Sequence, residues 1–242
     1  MKISIITVVL NRKDSILRAM NSVINQKYEN MEYIVLDGGS TDGTFELLKS
    51  YEDKIDILKS EKDRNLYDAL NKAMELSSGD IIGFMHSDDY YYDDNVLFEV
   101  SEKFKKSDFD LVCGGIKYFG EDKISRKIPS MEINMRNLLL GRLPPHPAIF
   151  FKKKVYNELG GFDDNLTIIA DFDWCVRVAK KGFKTITLDK YIYFMRIGGE
   201  STLTLQNSLK RAKEYVTVAM RYNIFLLFSF MIKGARKLLK IS

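Results

Sequence analysis

Short β-branched runs alternate with helix-period patterns from Ile3 to Ile116, and that alternation leaves few folds open. Ile3 to Leu10, Tyr33 to Leu36, Ile55 to Leu58, the apolar stretch after Asp80 and Leu111 to Ile116 read as strands. Between them, Ile16, Leu17, Met20, Val23 and Ile24 share one helical face after Asp14. Phe45, Leu47, Leu48 and Tyr51 mark a second helix, and Leu66, Leu70, Ala73 and Met74 a third over Leu66 to Leu76. A further helix is expected from about Asp94 to Phe104. Repeated βαβ units imply a doubly wound, mostly parallel sheet. Such sheets bind ligands in a crevice at the carboxyl ends of their strands.

The strand Ile81, Ile82, Phe84, Met85 runs directly into two adjacent carboxylates, Asp88 and Asp89. Adjacent carboxylates repel unless a cation is shared between them. Oxygen ligands suit Mg²⁺ or Mn²⁺, ions that commonly join a few carboxylates to substrate phosphates. The second strand ends in Asp37-Gly38-Gly39-Ser40-Thr41-Asp42-Gly43, a tight strand-to-helix turn. No Gly-x-Gly-x-x-Gly or Walker A sequence follows a strand, so a bound nucleotide must be held in another way.

Beyond Ile116 the pattern is less regular. Pro144, Pro145 and Pro147 stiffen a loop around His146, and Ala148 to Lys152 reads as a strand. Asp171 to Lys181 reads as a helix, with Ile186 to Leu188 and Tyr191 to Met195 as further strands. From about Ser208 a helical tail begins, in which Ile224 to Ile232 is apolar and Lys233, Arg236, Lys237 and Lys240 follow. The apolar run is about half the roughly 20 residues that span a bilayer. The net charge of +4 does not suggest nucleic-acid binding. The two cysteines, Cys113 and Cys175, offer no zinc or disulfide spacing, and the amino terminus reads as a strand and not a signal peptide. A cytoplasmic protein without a transmembrane helix is expected.

Several motifs, in order, resemble one family. They are Ser4 to Arg12 (SIITVVLNR), Val35 to Thr44 (VLDGGSTDGT), Ser60 to Lys72 (SEKDRNLYDALNK) and Gly83 to Asp89 (GFMHSDD). Pro145 to Phe151 (PHPAIFF), Gly160 to Asp163 (GGFD), Ala170 to Trp174 (ADFDW) and Gly198 to Thr202 (GGEST) follow. The chain resembles family 2 glycosyltransferases of the GT-A fold, and more narrowly the subgroup of capsule, colanic-acid and lipopolysaccharide gene clusters. The resemblance implies an α/β GT-A domain over 1–207. A Rossmann-like nucleotide-sugar half with a mostly parallel central sheet (1–116) would precede a mixed acceptor half (117–207). An amphipathic helical tail (208–242) completes the chain.

The resemblance also implies roles. Such enzymes transfer a sugar from a nucleotide-sugar with inversion, using Mn²⁺ or Mg²⁺ to stabilise the leaving diphosphate and a carboxylate base to deprotonate the acceptor. Asp89 would ligate the metal, and Asp88 would hold the ribose or a metal-bound water. Asp171 would be the base, since Ala170 replaces the glutamate frequent in relatives; a helix-cap role for Asp171 stays open. Asp37 would accept the ring N–H of a uracil-like base or open an Asx turn. Thr7, Val8, Leu10 and Asn11 would line the nucleotide, with Leu10 replacing an aromatic. Arg64 would meet base or diphosphate or be solvated, Asp68 would face the site, and His146 would contact diphosphate or acceptor or be structural. His86 is expected in a structural or acceptor-side role, and Gly198 to Ser201 as a closing loop.

The implied partners are a nucleotide-sugar donor, UDP-linked by preference, and a saccharide or undecaprenyl-diphosphate-linked acceptor. No nucleic acid is expected, and homo-oligomerisation stays open. The basic, apolar tail suits the inner face of the plasma membrane, or packing on the protein's own core or on a partner. Two rival functions remain at this level: a sugar-nucleotide nucleotidyltransferase, poorly served by Asn11-Arg12-Lys13 as a phosphate loop, and a non-catalytic nucleotide- or saccharide-binding protein.

Overall fold

A computed structural model describes residues 1–106, 108–120, 123–197 and 205–222, together with 225, 227, 231 and 232. The strands are β1 (Ile3–Val9), β2 (Met31–Asp37), β3 (Ile57–Ser60), β4 (Ile81–Phe84), β5 (Tyr90–Tyr91), β6 (Leu111–Gly120), β7 (Lys123–Ile128), β8 (Ile149–Lys152) and β9 (Thr185–Arg196). The helices are α1 (Ile16–Ile24), α2 (Thr44–Lys49), α3 (Leu66–Leu76), α4 (Val96–Lys105), α5 (Met135–Leu139), α6 (Lys153–Leu159), α7 (Ala170–Lys181) and α8 (Leu205–Tyr222).

All the strands join one sheet of order β3-β2-β1-β4-β8-β6-β9-β5, with β7 paired to β6. β3, β2, β1 and β4 are mutually parallel, as the βαβ alternation requires. β8 lies antiparallel between β4 and β6, so the second half of the sheet is mixed. β6 and β9 are again parallel, and β5 and β7 are antiparallel additions. The boundary expected at 116/117 falls inside β6.

Both faces of the sheet are covered over β1, β2 and β4, whose residues are nearly all buried. Successive residues point to opposite faces. Ile6, Ile34, Ile82, Cys113 and Phe151 face one core, with α3, α5, α6, α7 and α8. Ile5, Val35, Ile81, Val112 and Phe150 face the other, with α1, α2 and α4. α8 begins ahead of the expected tail boundary, and Tyr215, Val218 and Ala219 bury its inner side in the first of these cores. The tail residues 223, 224, 226, 228–230 and 233–242, which carry its basic cluster, and the Gly198 to Ser201 loop lie outside the described residues.

A polar network closes the amino-terminal edge of the sheet. Glu32, buried, accepts from Lys2 Nζ at 2.8 Å, Ser4 Oγ at 2.5 Å, Ser78 N–H at 2.8 Å and Ser78 Oγ at 2.5 Å. Burial alone would raise its pKa, but these donors outweigh it and bring the carboxyl down to about 2. The opposite, carboxyl-terminal edge is where unpaired carboxylate oxygens collect.

Candidate active site

Asp37 ends β2 and is fully buried. Its Oδ2 accepts from Gly39 N–H at 3.1 Å, Ser40 N–H at 3.0 Å and Ser60 Oγ at 2.6 Å. This is an Asx turn, the alternative that the sequence left open beside a base-reading role, and Gly39 makes it with φ +86°. Oδ1 of the same carboxylate is buried without a hydrogen-bond partner. An ionised oxygen so placed is costly unless a donor arrives from outside the chain. The loop after β1 is fastened alongside. Asn11, with φ +50°, donates its N–H to Ser40 Oγ at 2.8 Å and accepts from Thr41 N–H at 2.8 Å through Oδ1. Leu10, next to it, is 49% exposed, and a Cβ on Gly38 would lie 3.5 Å from its Cδ1, so Leu10 flanks the turn. Thr7 and Val8 are buried. The Thr7 hydroxyl bonds Tyr33 at 3.1 Å, so this side chain faces the core and not the crevice.

Asp89 lies two strands away in the sheet, past the end of β4. Only 1% exposed, it accepts from the Arg196 N–H at 2.8 Å through Oδ1, while Oδ2 is buried without a partner. Burial pushes its pKa up to about 8, and the Asp88 charge adds to the rise against donors from Arg196 and Tyr193. Such a carboxyl ionises readily only beside a cation. Asp88 is half-buried and opens onto a cleft of about 410 Å³ with Asn11, Arg12, Lys13, Asp42 and Arg196. The cleft continues into a space of about 660 Å³ walled by Arg18, Phe119 and Ile197. Among the described residues no three His, Cys, Asp or Glu side chains cluster to cage a metal. One carboxylate with an unused oxygen and a second beside it nevertheless fit Mg²⁺ or Mn²⁺, which take few protein ligands and complete their shell with water and phosphate.

Asp171 is the second residue of α7, where the helix dipole favours a carboxylate. Its Oδ1 accepts from the Phe172 N–H at 2.7 Å, and its own N–H meets the buried Tyr67 hydroxyl. Its Oδ2 lies 4.0 Å from Nδ1 of His146, and His146 Nε2 lies 3.0 Å from Nε2 of His86. Both imidazoles are held neutral: burial lowers His146 to about 4, and burial together with its neighbour lowers His86 to about 3. The two rings share one hydrogen bond, in which either can be the donor according to its tautomer. A chain of two imidazoles thus links Asp171 to the segment that carries Asp88 and Asp89. Neither histidine role was fixed by sequence; the pairing joins residues 60 positions apart.

Arg64 and Asp68 sit at the margin. The Arg64 guanidinium donates to Asp68 Oδ1 at 2.7 Å and to Asp164, and Asp68 also accepts the Arg64 N–H at 3.0 Å. Those Arg64 bonds, with help from Lys72, lower Asp68 to about 2. Lys72 pairs with Asp63 at 2.8 Å, and Asn71 Oδ1 accepts from the Phe162 N–H at 2.8 Å. In this structure the Arg64 cluster fastens the loop before α3 to the loop before α7. Sequence reading passed over Tyr118, which carries the electrostatic influence of both Asp89 and Asp171, and over Arg196 and Glu214. No local motif marks any of the three, because each acts through a partner distant in sequence.

Four parallel strands with helices on both faces, a carboxylate ending β2 and an acidic pair past the end of β4 describe a doubly wound α/β protein. The chain belongs to glycosyl transferase family 2, whose model matches residues 4–168. That span includes Asp37, Asp88, Asp89 and His146 and stops short of Asp171. An uncharacterized glycosyltransferase of Mycobacterium tuberculosis is 32% identical over 182 residues, 73% of this chain and 68% of that protein. A PGL/p-HBAD biosynthesis glycosyltransferase of Mycobacterium bovis is 26% identical over 181 residues, 72% of this chain and 68% of that protein. Among solved structures, S. aureus TarS 1-349 in complex with UDP-GlcNAc superposes with TM-score 0.75 at 19% identity, covering 100% of this chain and 76% of that one. A mannosyltransferase of Pyrobaculum calidifontis, in complex with GDP-Man and Mn²⁺, gives 0.68 at 17% identity, covering 98% and 75%. The chain spans 39% of a longer TarS chain. At these identities the structural likeness establishes the fold, which is GT-A.

Proposed function

We propose that this chain is a metal-dependent inverting glycosyltransferase. It would move a sugar from a nucleoside-diphosphate sugar, UDP-linked by preference, to a hydroxyl of a saccharide or lipid-linked saccharide in bacterial surface polysaccharide synthesis. One observation carries the reading: two buried carboxylate oxygens lack partners, Asp37 Oδ1 at the end of β2 and Asp89 Oδ2 in the segment that follows β4, and both strands flank β1. The first suits a base N–H and the second a cation at the diphosphate. Family membership, a neighbour that binds UDP-GlcNAc and another with GDP-Man and Mn²⁺ support it.

Asp37 would accept the ring N–H of the base while Leu10 packs beside it. Asp88 would bond the ribose or a metal-bound water. Asp89 would hold Mn²⁺ or Mg²⁺, whose Lewis acidity stabilises a departing diphosphate. Asp171 would take the proton of the acceptor hydroxyl as its oxygen bonds the anomeric carbon and the bond to the diphosphate breaks. His146 and His86, neutral, would fix the direction of the Asp171 side chain.

No helix among the described residues is long and apolar enough to cross a membrane. The outer side of α8 exposes Leu209, Val216 and Met220 beside exposed Lys210 and Lys213, a face suited to an anionic lipid surface next to a lipid-linked acceptor. Lys210→Glu with Lys213→Glu is expected to reduce recovery on anionic liposomes while leaving nucleotide affinity intact, and removal of residues from Phe225 onward to reduce it further; equal recovery in both would refute that role. Donor class is tested by thermal shift with UDP-, GDP- and dTDP-sugars, with and without Mn²⁺. A ligand at about 100 times its Kd adds about 2.7 kcal/mol, or about 5–10 °C for a chain of this length. A UDP-sugar with Mn²⁺ should give the largest shift. No shift with any nucleotide would contradict the proposal.

A further inference from the structure

Residues 163–173, which carry Asp171, are gripped from α8, outside the stretch matched by the family model. Glu214 is 7% exposed. Its Oε1 accepts from the Thr167 N–H at 3.0 Å and from Thr167 Oγ1 at 3.1 Å. Its Oε2 accepts from the Ile168 N–H at 3.0 Å and the Ile169 N–H at 3.1 Å. The N-cap of α7, Ile169, makes no side-chain cap bond, and Glu214 accepts its N–H together with those of the two residues before it. The next residue, Tyr215, packs its ring on Phe172 at 4.9 Å. Further along α8, Arg221 donates to Asp163 at 2.7 Å and Asp173 at 3.2 Å. The segment is therefore fixed on both sides of Asp171.

We propose that Glu214 is a positioning residue for Asp171, and that α8 is thereby a working part of the catalytic centre. The inference rests on Asp171 being the base. Three backbone N–H groups lose their acceptor if Glu214 is neutralised and turned, and the loop that leads into α7 must then rearrange to find others. Such a change moves the first turn of α7, and with it the Asp171 carboxylate relative to the acceptor oxygen. A misplacement of about 1 Å is enough to cost about 100-fold in rate. Asp37 at the end of β2 and Asp89 in the segment past β4 receive none of these bonds from α8, so donor binding should be unaffected.

Glu214→Gln in the full chain keeps the side-chain size but sets an NH₂ against the N–H donors. The expected result is a fall in kcat of about 10- to 100-fold. The Kd for UDP by calorimetry should stay within about twofold, and hydrogen exchange at residues 167–169 should be faster. Placed on Asp171→Asn, the substitution should cost nothing further, because both act through one carboxylate. Thr167→Val removes only the hydroxyl donor and should shift kcat the same way by less; it decides the matter if Glu214→Gln does not fold. An unchanged kcat overturns the inference. So does an equal loss in the Asp171→Asn background, or a loss of UDP affinity that accounts for the fall in rate. A wild-type chain that transfers no sugar from any nucleotide-sugar overturns the proposed function instead. Exchange at 167–169 still decides the clamp in that case, since wild-type protection in Glu214→Gln would refute it.

Discussion

Asp37→Asn separates the two oxygens of one carboxylate. Three donors, from Gly39, Ser40 and Ser60, already converge on Oδ2. An asparagine must therefore keep its carbonyl there, because an NH₂ in that place would face three donors. The NH₂ is then forced into the position of Oδ1, which is buried and has no partner. Two consequences follow. In the free protein one unpaired buried atom replaces another, so the loss of stability comes from three donors meeting a neutral carbonyl in place of a charged oxygen and should appear as a lower Tm. A base that offered its N–H to Asp37 now meets a donor, and loss of a hydrogen bond to a charged group costs about 2–3 kcal/mol. That is about 30- to 160-fold in Kd for UDP. Cytosine presents an acceptor nitrogen in place of the uracil N–H, so the preference for UDP over CDP should shrink or reverse. Calorimetry with both nucleotides, beside a melting curve, reads all of these quantities. UDP affinity within threefold of wild type, at unchanged UDP/CDP preference, would refute the base-acceptor role of Asp37.

Glu32 gives a pH dependence. Its folded pKa, about 2, lies below the ordinary 4.5, so the carboxylate contributes stability above about pH 4.5 that is lost as the pH falls toward 2. Full loss amounts to about 3 kcal/mol. Glu32→Gln should lower Tm at pH 7 and flatten its decline between pH 5 and 3; a parallel decline in both proteins would contradict this. Gly83→Ala tests the floor beneath the acidic pair. A Cβ at Gly83 would lie 2.5 Å from the ring of Phe150, which is fully buried and cannot swing away. A cost of about 1–3 kcal/mol is expected by overpacking, and an unchanged Tm would show that β4 has room to shift.

Much of the fold was legible because local pattern and tertiary role agree. β1, β2 and β4 are buried on both faces and so read as mainly apolar, β-branched runs, with Ser4, Thr7 and Glu32 as buried polar exceptions. α3 was read at its observed bounds, since Asn65 caps it by accepting from the Tyr67 and Asp68 N–H groups. β9 was read as two strands because Leu188, Asp189 and Lys190 bulge out of the β6 pairing, which passes from Thr187 directly to Tyr191. The two-residue β5 exists only through its pairing with β9, and α6 follows β8 with no intervening turn signal. In the site, the carboxylates were visible as types at strand ends. Their partners were not. That Arg64 meets Asp164, that His146 meets His86 and that Glu214 serves Thr167 are facts of packing between segments far apart in sequence.

The division of labour between Asp89 and Asp171 is tested most directly by a paired measurement. Sugar transfer at saturating donor and Mn²⁺ is followed beside calorimetric donor affinity for wild type, Asp171→Asn and Asp89→Asn. Asp171→Asn should bind donor as wild type does while losing transfer by about 10²- to 10⁴-fold. Asp89→Asn should lose the Mn²⁺-dependent part of donor affinity. Transfer by Asp171→Asn at the wild-type rate would contradict the assignment of the base, whatever the donor affinity shows.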